Sequence, residues 1–299
     1  MARDPVVVSF RARVLGRLMR QLRDENGLTI KHVAAYVGVD FALLGRFERG
    51  EWSMPRHQVA ILLDVYRVHD RDEQERLFRL AEAVWRSRSE MDFDGAVPDE
   101  SFADLLWLES EATTIHCYAP SGLPDLLHAS GYADLVARAV LGERAIQEQV
   151  DARVALAARR QQVLRRPDPV RLEVVLDECV LRHPVCDQRV WAEQLDHLAA
   201  VSQMTNVQVR ILPAGVARPP HVCGGYCVFA LSQPYPALVA HVEYLGGRLL
   251  MENGAATAHL QAFDRLREAA LAPGASAGLV LSCQDTTFPT ADVLRERLI

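Results

Sequence analysis

Asp177 and Glu178 close a run of apolar residues, and His183 and Cys186 follow soon after. His241 and Glu243 stand two apart in a second run. Carboxylates gathered at strand ends can hold or pass a proton, and a Cys/His pair can furnish a nucleophile and its base. His221, Cys223 and Cys227 add three possible ligands for zinc. The zinc reading fails on spacing: the three residues match no common structural site, and a fourth ligand is missing. The catalytic reading lacks a frame, because no G-x-S-x-G, P-loop, G-x-G-x-x-G or H-E-x-x-H accompanies these residues. Scattered Cys and His are ordinary core and surface residues, so neither enzyme activity, metal nor cofactor is expected. Asp177, Glu178 and Glu243 remain as a strand-end group of acids that a partner protein or ligand can meet.

The stretch HVAAYVGVDFALLGRFERG, residues 32–50, carries a different chemistry. Val33, Ala34 and Val37 give one apolar helical face, Gly38 breaks it, Asp40 caps a second helix, and Leu44 and Phe47 pin that helix down. A helix-turn-helix lays its second helix in the DNA major groove, with base contacts from that helix's N-terminal residues. Phe41 and Ala42 cannot hydrogen-bond a base edge, but both can pack on a thymine methyl. Arg46 can reach guanine O6 and N7 together. Lys31, Arg49 and Arg56, near helix ends, suit phosphate.

These residues need elements to place them. Residues 8–26 put Leu15, Leu18 and Leu22 on one helical face, with Arg17, Arg20 and Arg23 off it, and Asn26-Gly27 ends the helix. Thr29 caps the next, Asp40 the third, Pro55 opens a fourth, and DEQERLFRLAEAVWRSR makes a fifth. Residues 1–90 are therefore expected to form a compact five-helix all-α helix-turn-helix domain. The acidic, Gly- and Pro-bearing residues 91–101 read as a linker. Residues 102–299 alternate helical segments (102–116, 130–165, 187–204, 255–271) with the β-like runs RLEVVLDE, VQVRILP, YCVFAL and ALVAHVEYL. The run 171–178, helix 187–204 and run 207–212 suggest a β-α-β unit, and the last two runs a hairpin. The expected class is α+β overall, with a mixed α/β sensor-like C-terminal domain.

Composition bounds the rest. The 299 residues carry a net charge of −6, unevenly spread: residues 1–90 hold 16 Arg and Lys against 13 Asp and Glu, the remainder 17 against 26. A mildly basic head on an acidic body suits local contact with double-stranded DNA by the head alone. Six cysteines without a C-x-x-C pair read as free thiols of a reducing compartment. With no long apolar run and no secretory h-region, the expectation is a cytoplasmic, nucleoid-associated protein without a membrane partner.

LGRLMRQLRDENGLT followed by VAAYVGVDFALLGRFERG resembles the Xre/lambda-repressor-type helix-turn-helix family over about residues 11–70. The resemblance implies that Asp40, Phe41, Ala42, Gly45 and Arg46 face the bases. Ile30 departs from it where a glutamine usually reaches phosphate, and Leu43 and Gly45 replace common serines or threonines. Over about residues 100–285 the chain resembles the C-terminal domain of actinobacterial Xre-type, antitoxin-like transcriptional regulators. Glu109, Pro124, Tyr132, Gln161, Glu178, Leu181, Gln194, Pro213, Glu243 and Glu252 carry that resemblance, from which Asp125, His128 and Cys186-Asp187 depart. It implies a transcription factor, often paired with a small protein encoded by a neighbouring gene. One recognition helix reads few base pairs, so a homodimer formed through residues 102–299 is expected. Two other readings stand beside this one: an antitoxin-like protein-interaction module with weak DNA binding, and an enzyme with a helical docking head.

Overall fold

In a computed structural model, residues 9–85, 99–216, 224–244 and 247–283 are described. The expected linker at 91–101 lies outside them except for its last three residues, as do His221 and Cys223 of the rejected zinc set. The described residues divide into two compact units, one holding residues 9–85, 99–108 and 233–236, the other the rest. No helix among the described residues is long and apolar enough to cross a membrane.

The first unit is helical: α1 (Phe10–Glu25), α2 (Ile30–Val37), α3 (Phe41–Glu48), α4 (Arg56–Val65), α5 (Arg71–Trp85), then α6 (Glu100–Glu111) as far as Leu108. Its core is Leu15, Val33, Leu44, Val59, Leu63 and Leu80, all almost fully buried. Two arginines join that core against expectation. Arg11, 1% exposed, donates from Nε to Asp104 (2.7 Å) and from Nη2 to Glu100 (2.8 Å). Arg23 is buried as well, facing Glu48. A guanidinium leaves water only where acceptors meet its N–H groups, and the buried carboxylates that do so here, Asp104 and Glu48, are distant in sequence. Asp104 also accepts from the backbone N–H of Phe10 and Arg11, so its charge sits at the positive end of α1. These ties hold residues 99–108 within the first unit.

The second unit is built on a six-stranded mixed sheet in the order β3-β2-β1-β4-β5-β6. The strands are β1 (Ala112–Ala119), β2 (Arg171–Asp177), β3 (Val207–Leu212), β4 (Tyr226–Leu231), β5 (Leu238–Tyr244) and β6 (Gly247–Glu252). β3, β2 and β1 run parallel; β4, β5 and β6 are antiparallel. The helices α7 (Ser130–Leu141) and α8 (Gln147–Arg160) connect β1 to β2, and α9 (Glu178–Arg182) and α10 (Gln188–Val201) connect β2 to β3. The β-α-β unit and the hairpin stand as expected. The helix read over 102–116 stops at Glu111, and β1 takes over. The helix read over 130–165 breaks at Gly142, whose φ of 76° suits only glycine.

After β6 come α11 (Asn253–Ala269) and α12 (Pro273–Ser282). α11 covers one face of the sheet, with Phe263 among Tyr118, Val175, Tyr226 and Val228. α12 closes the β3 edge: Ile211 N–H donates to Ser276 Oγ at 2.9 Å, and Leu271 N–H to the Ile211 carbonyl at 2.9 Å. Around the other connections run buried polar ties. Arg160 donates to both oxygens of Glu109 (2.9 and 2.7 Å) and to Asp125 (2.6 Å). Gln194 donates to the Leu127 carbonyl and accepts from Ala129 N–H, while Gln161 donates to the His128 carbonyl. Of three positions that carry the family resemblance, Gln161 and Gln194 thus hold a loop onto helices, and Glu109 ties α6 to α8.

Candidate nucleic-acid interface

Local chemistry shapes the two helices that matter. Thr29 Oγ1 caps α2 by accepting from His32 N–H at 3.2 Å. Gly38 ends it in the left-handed region, at φ 71°. Asp40 caps α3, its Oδ1 accepting from Ala42 N–H (2.8 Å) and Leu43 N–H (3.2 Å). Leu44 and Phe47 are then buried, and α3 packs on α1.

Two devices fix the angle of α3. At Gly16 on α1, an added Cβ would lie 2.3 Å from the Phe47 carbonyl oxygen, so only glycine lets the two helices come this close. Beside it, Arg23 grips Glu48 in a fork: Nε–Oε1 2.6 Å and Nη2–Oε2 3.0 Å. The Glu48 carboxylate raises the Arg23 pKa further. Arg23 also donates to Asp24 and to the Leu28 carbonyl, both at 2.7 Å.

What α3 leaves outward is apolar and cationic. Phe41 is 52% exposed, and Ala42, Arg46 and Arg49 are exposed as well. Lys31 Nζ lies 5.9 Å from the Phe41 ring centroid, and the Arg46 guanidinium 5.2 Å from that of Trp52. Among the described residues neither Lys31 nor Arg46 forms an ion pair. Arg49 does, with Glu51 at 2.6 Å, and that bond lowers the Glu51 pKa. Arg56 pairs with Glu82 at 2.9 Å and lies over Phe78.

Gly45 behaves differently from the rest of its set. It is buried, and a Cβ there would stand 3.5 Å from Ile30 Cδ1 and 3.2 Å from Arg49 Nη1. The two departures at Ile30 and Gly45 therefore meet in space: a bulkier, apolar residue on α2 faces a missing side chain on α3. Asp40, for its part, spends one carboxylate oxygen on the cap. Of the residues set to face bases, Asp40, Phe41, Ala42 and Arg46 are exposed, and Gly45 alone is buried.

The acids of the second unit do not gather. Asp177 is 1% exposed, ends β2, and accepts from Cys179 N–H as the cap of α9. Glu178 accepts from Arg182 and from Ala214 N–H (2.9 Å). Those bonds, the one from Ala214 first, hold its pKa below the usual carboxylate range. Glu243 is exposed on β5 and faces Arg248 across the β5–β6 pair at 2.8 Å. With β1 and β4 standing between β2 and β5, the three expected partner-binding acids are not one patch. His183 Nδ1 bonds the Cys179 carbonyl, and burial pushes the Cys186 thiol up to about 11.

Helical caps, a glycine turn and an exposed second helix define a helix-turn-helix domain, the DNA-binding unit of a transcriptional regulator. Residues 14–77 match the model of a helix-turn-helix domain accordingly. The chain belongs to the family of a domain of unknown function (DUF5753), whose model matches residues 102–282. No curated protein and no solved structure gives a match.

Proposed function

We propose that this chain is a sequence-specific transcriptional regulator of the Xre type, antitoxin-like in its second domain, and not an enzyme. The observation that carries this reading is the outward start of α3: Phe41, Ala42 and Arg46 exposed over a base fixed by Gly16 and the Arg23–Glu48 fork. α3 enters the major groove, Arg46 leaves the Trp52 ring for a guanine, and Phe41 and Ala42 pack on thymine methyls. Lys31 meets phosphate directly; Arg49 and Arg56 do so by exchanging an exposed carboxylate for it. The chain works as a homodimer joined through residues 102–299, matching two half-sites, and its acidic second domain takes a ligand or a small basic protein encoded by a neighbouring gene.

The test starts from an operator selected out of random duplexes. Arg46→Ala should cost about 1–3 kcal/mol of binding and relax preference at one position. Arg49→Ala should weaken all duplexes alike and lower the salt slope by about one. An Arg46→Ala protein that folds and keeps both affinity and preference would remove α3 from the groove. A monomer that still binds one operator tightly would remove the dimer.

A further inference from the structure

The seam between the parallel and antiparallel halves of the sheet is the pairing of β1 with β4, and on it two cysteines face each other. Cys117 and Cys227 are register partners, and their sulfurs lie 2.9 Å apart. Both are free thiols; Cys117 is buried and Cys227 half-buried. We propose that Cys117 and Cys227 form a dithiol modification site that a peroxide-class oxidant closes into a disulfide across the β1–β4 seam.

Geometry favours the bond. Directly opposed residues of an antiparallel pair keep their Cα atoms about 4.5–5.5 Å apart, inside the span that a disulfide bridges. The sulfurs need to approach by roughly 0.9 Å to reach a bonded separation of about 2.0 Å. No other pairing among the described cysteines competes: Cys179 Sγ donates to the Pro120 carbonyl at 3.2 Å, and Cys186 and Cys283 lie on other elements.

The chemistry runs in two balanced steps. The sulfur of Cys227, the residue that is only half-buried, attacks hydrogen peroxide; the O–O bond breaks, and a sulfenic acid and one water result. The Cys117 sulfur then attacks the Cys227 sulfur, the S–O bond breaks, and the hydroxyl leaves as a second water with the thiol proton. Two sulfurs are oxidised by two electrons in all, and the peroxide is reduced. The hydrogen bond from Cys227 to Cys117, with burial, holds the Cys227 pKa well above its ordinary value. The thiolate fraction is therefore small, the first step is slow, and the pair stays reduced until oxidant is in excess. A small peroxide reaches this place more easily than a bulky disulfide.

The experiment uses the full chain. It is treated with excess hydrogen peroxide, alkylated while unfolded, and digested without reductant for peptide mass mapping. The expected result is a linked peptide pair joining the Cys117 and Cys227 segments, present in Cys179→Ser and restored to two alkylated thiols by dithiothreitol. In Cys117→Ser the link should vanish, and Cys227 should be trapped as sulfenic acid by a 1,3-dione. The wild-type map decides alone should that variant fail to fold. Recovery of Cys117 and Cys227 as two alkylated thiols after peroxide treatment overturns the proposal. A link from Cys227 to Cys223, or to any cysteine but Cys117, overturns it as well.

Discussion

Arg23–Glu48 in the helical unit and Glu178–Arg182 in the sheet unit are both ion pairs beside a functional candidate, yet they do opposite things. The first is buried on both sides, 9% and 5% exposed, so its charges are settled inside the unit, and among the described residues neither Lys31 nor Arg46 on the outer surface forms an ion pair. The second uses up an acid that was itself the candidate. Net charge by region, basic head and acidic body, does not tell these cases apart. What an outside partner meets is the charge that a unit has not already neutralised within itself. By that measure the start of α3 stands open to a partner, while Asp177 and Glu178 are engaged within the fold.

The comparison breaks most readily at its strongest pair. Removing one member of a buried ion pair leaves the other uncompensated, at a cost of about 3–5 kcal/mol. Glu48→Ala should therefore destabilise the helical unit by that amount in denaturant unfolding followed by helical signal. The double variant Arg23→Met, Glu48→Leu should recover most of it. If Glu48→Ala costs under about 1 kcal/mol, on the scale of an exposed pair, the fork does not set the angle of α3.

A second effect separates the units by pH. His241 lies opposite Cys227 on β5, 6% exposed, and its Nε2 has no hydrogen-bond partner among the described residues. Burial first, then the charge of Arg248, lowers its pKa from 6.5 to about 4. The folded chain takes up this proton later than the unfolded chain does. Between about 6.5 and 4 the unfolded state therefore holds more protons, and stability falls as pH falls through that window. About 2–3 kcal/mol should be lost there, and His241→Asn should flatten the curve by that much in unfolding measured at pH 7 and pH 4.5. His116, His128 and His197, lowered for the same first cause, keep part of the slope. An identical pH profile for His241→Asn would show that its imidazole is not sealed in the sheet.

Where the pattern was local, the sequence could be read. The caps at Thr29 and Asp40, the turn at Gly38 and the β2–α10–β3 crossover each have a signature of a few residues. β1 was missed because the apolar helix FADLLWLESE runs straight into ATTIHCYA with no glycine or proline between; Thr113, Thr114 and Ile115, all β-branched, were the available signal. β6, GRLLME, is leucine-rich and short, with little to mark it as a strand. The buried arginines were beyond local reading, since Arg11 finds Asp104 across 93 residues and Arg23 finds Glu48 across 25. The same holds for the meeting of Ile30 with Gly45, visible only once α2 and α3 are packed.

The smallest expected effects lie at the acids, and they sharpen the comparison most. Glu178→Gln keeps an oxygen for Ala214 N–H and gives up only the attraction to Arg182, whose side chain is 56% exposed, so about 1 kcal/mol or less should be lost. Glu243, 61% exposed, faces Arg248 across one strand pair, and Glu243→Gln should cost about 0.2–1 kcal/mol. Both figures are to be read from chemical unfolding of the full chain. The informative measurement is a second one: capture of the proposed partner, a small protein encoded by a neighbouring gene, by wild type and by each variant, at low and at moderate salt. If Asp177 and Glu178 are spent on the fold, Glu178→Gln leaves capture unchanged at either salt. Glu243 is the one exposed member of the three, so it alone can break the pattern. A loss of capture in Glu243→Gln that fades with added salt would make the outer end of β5 a contact for a basic partner, and the sheet unit would then hold an outward charge of its own to set beside Arg46.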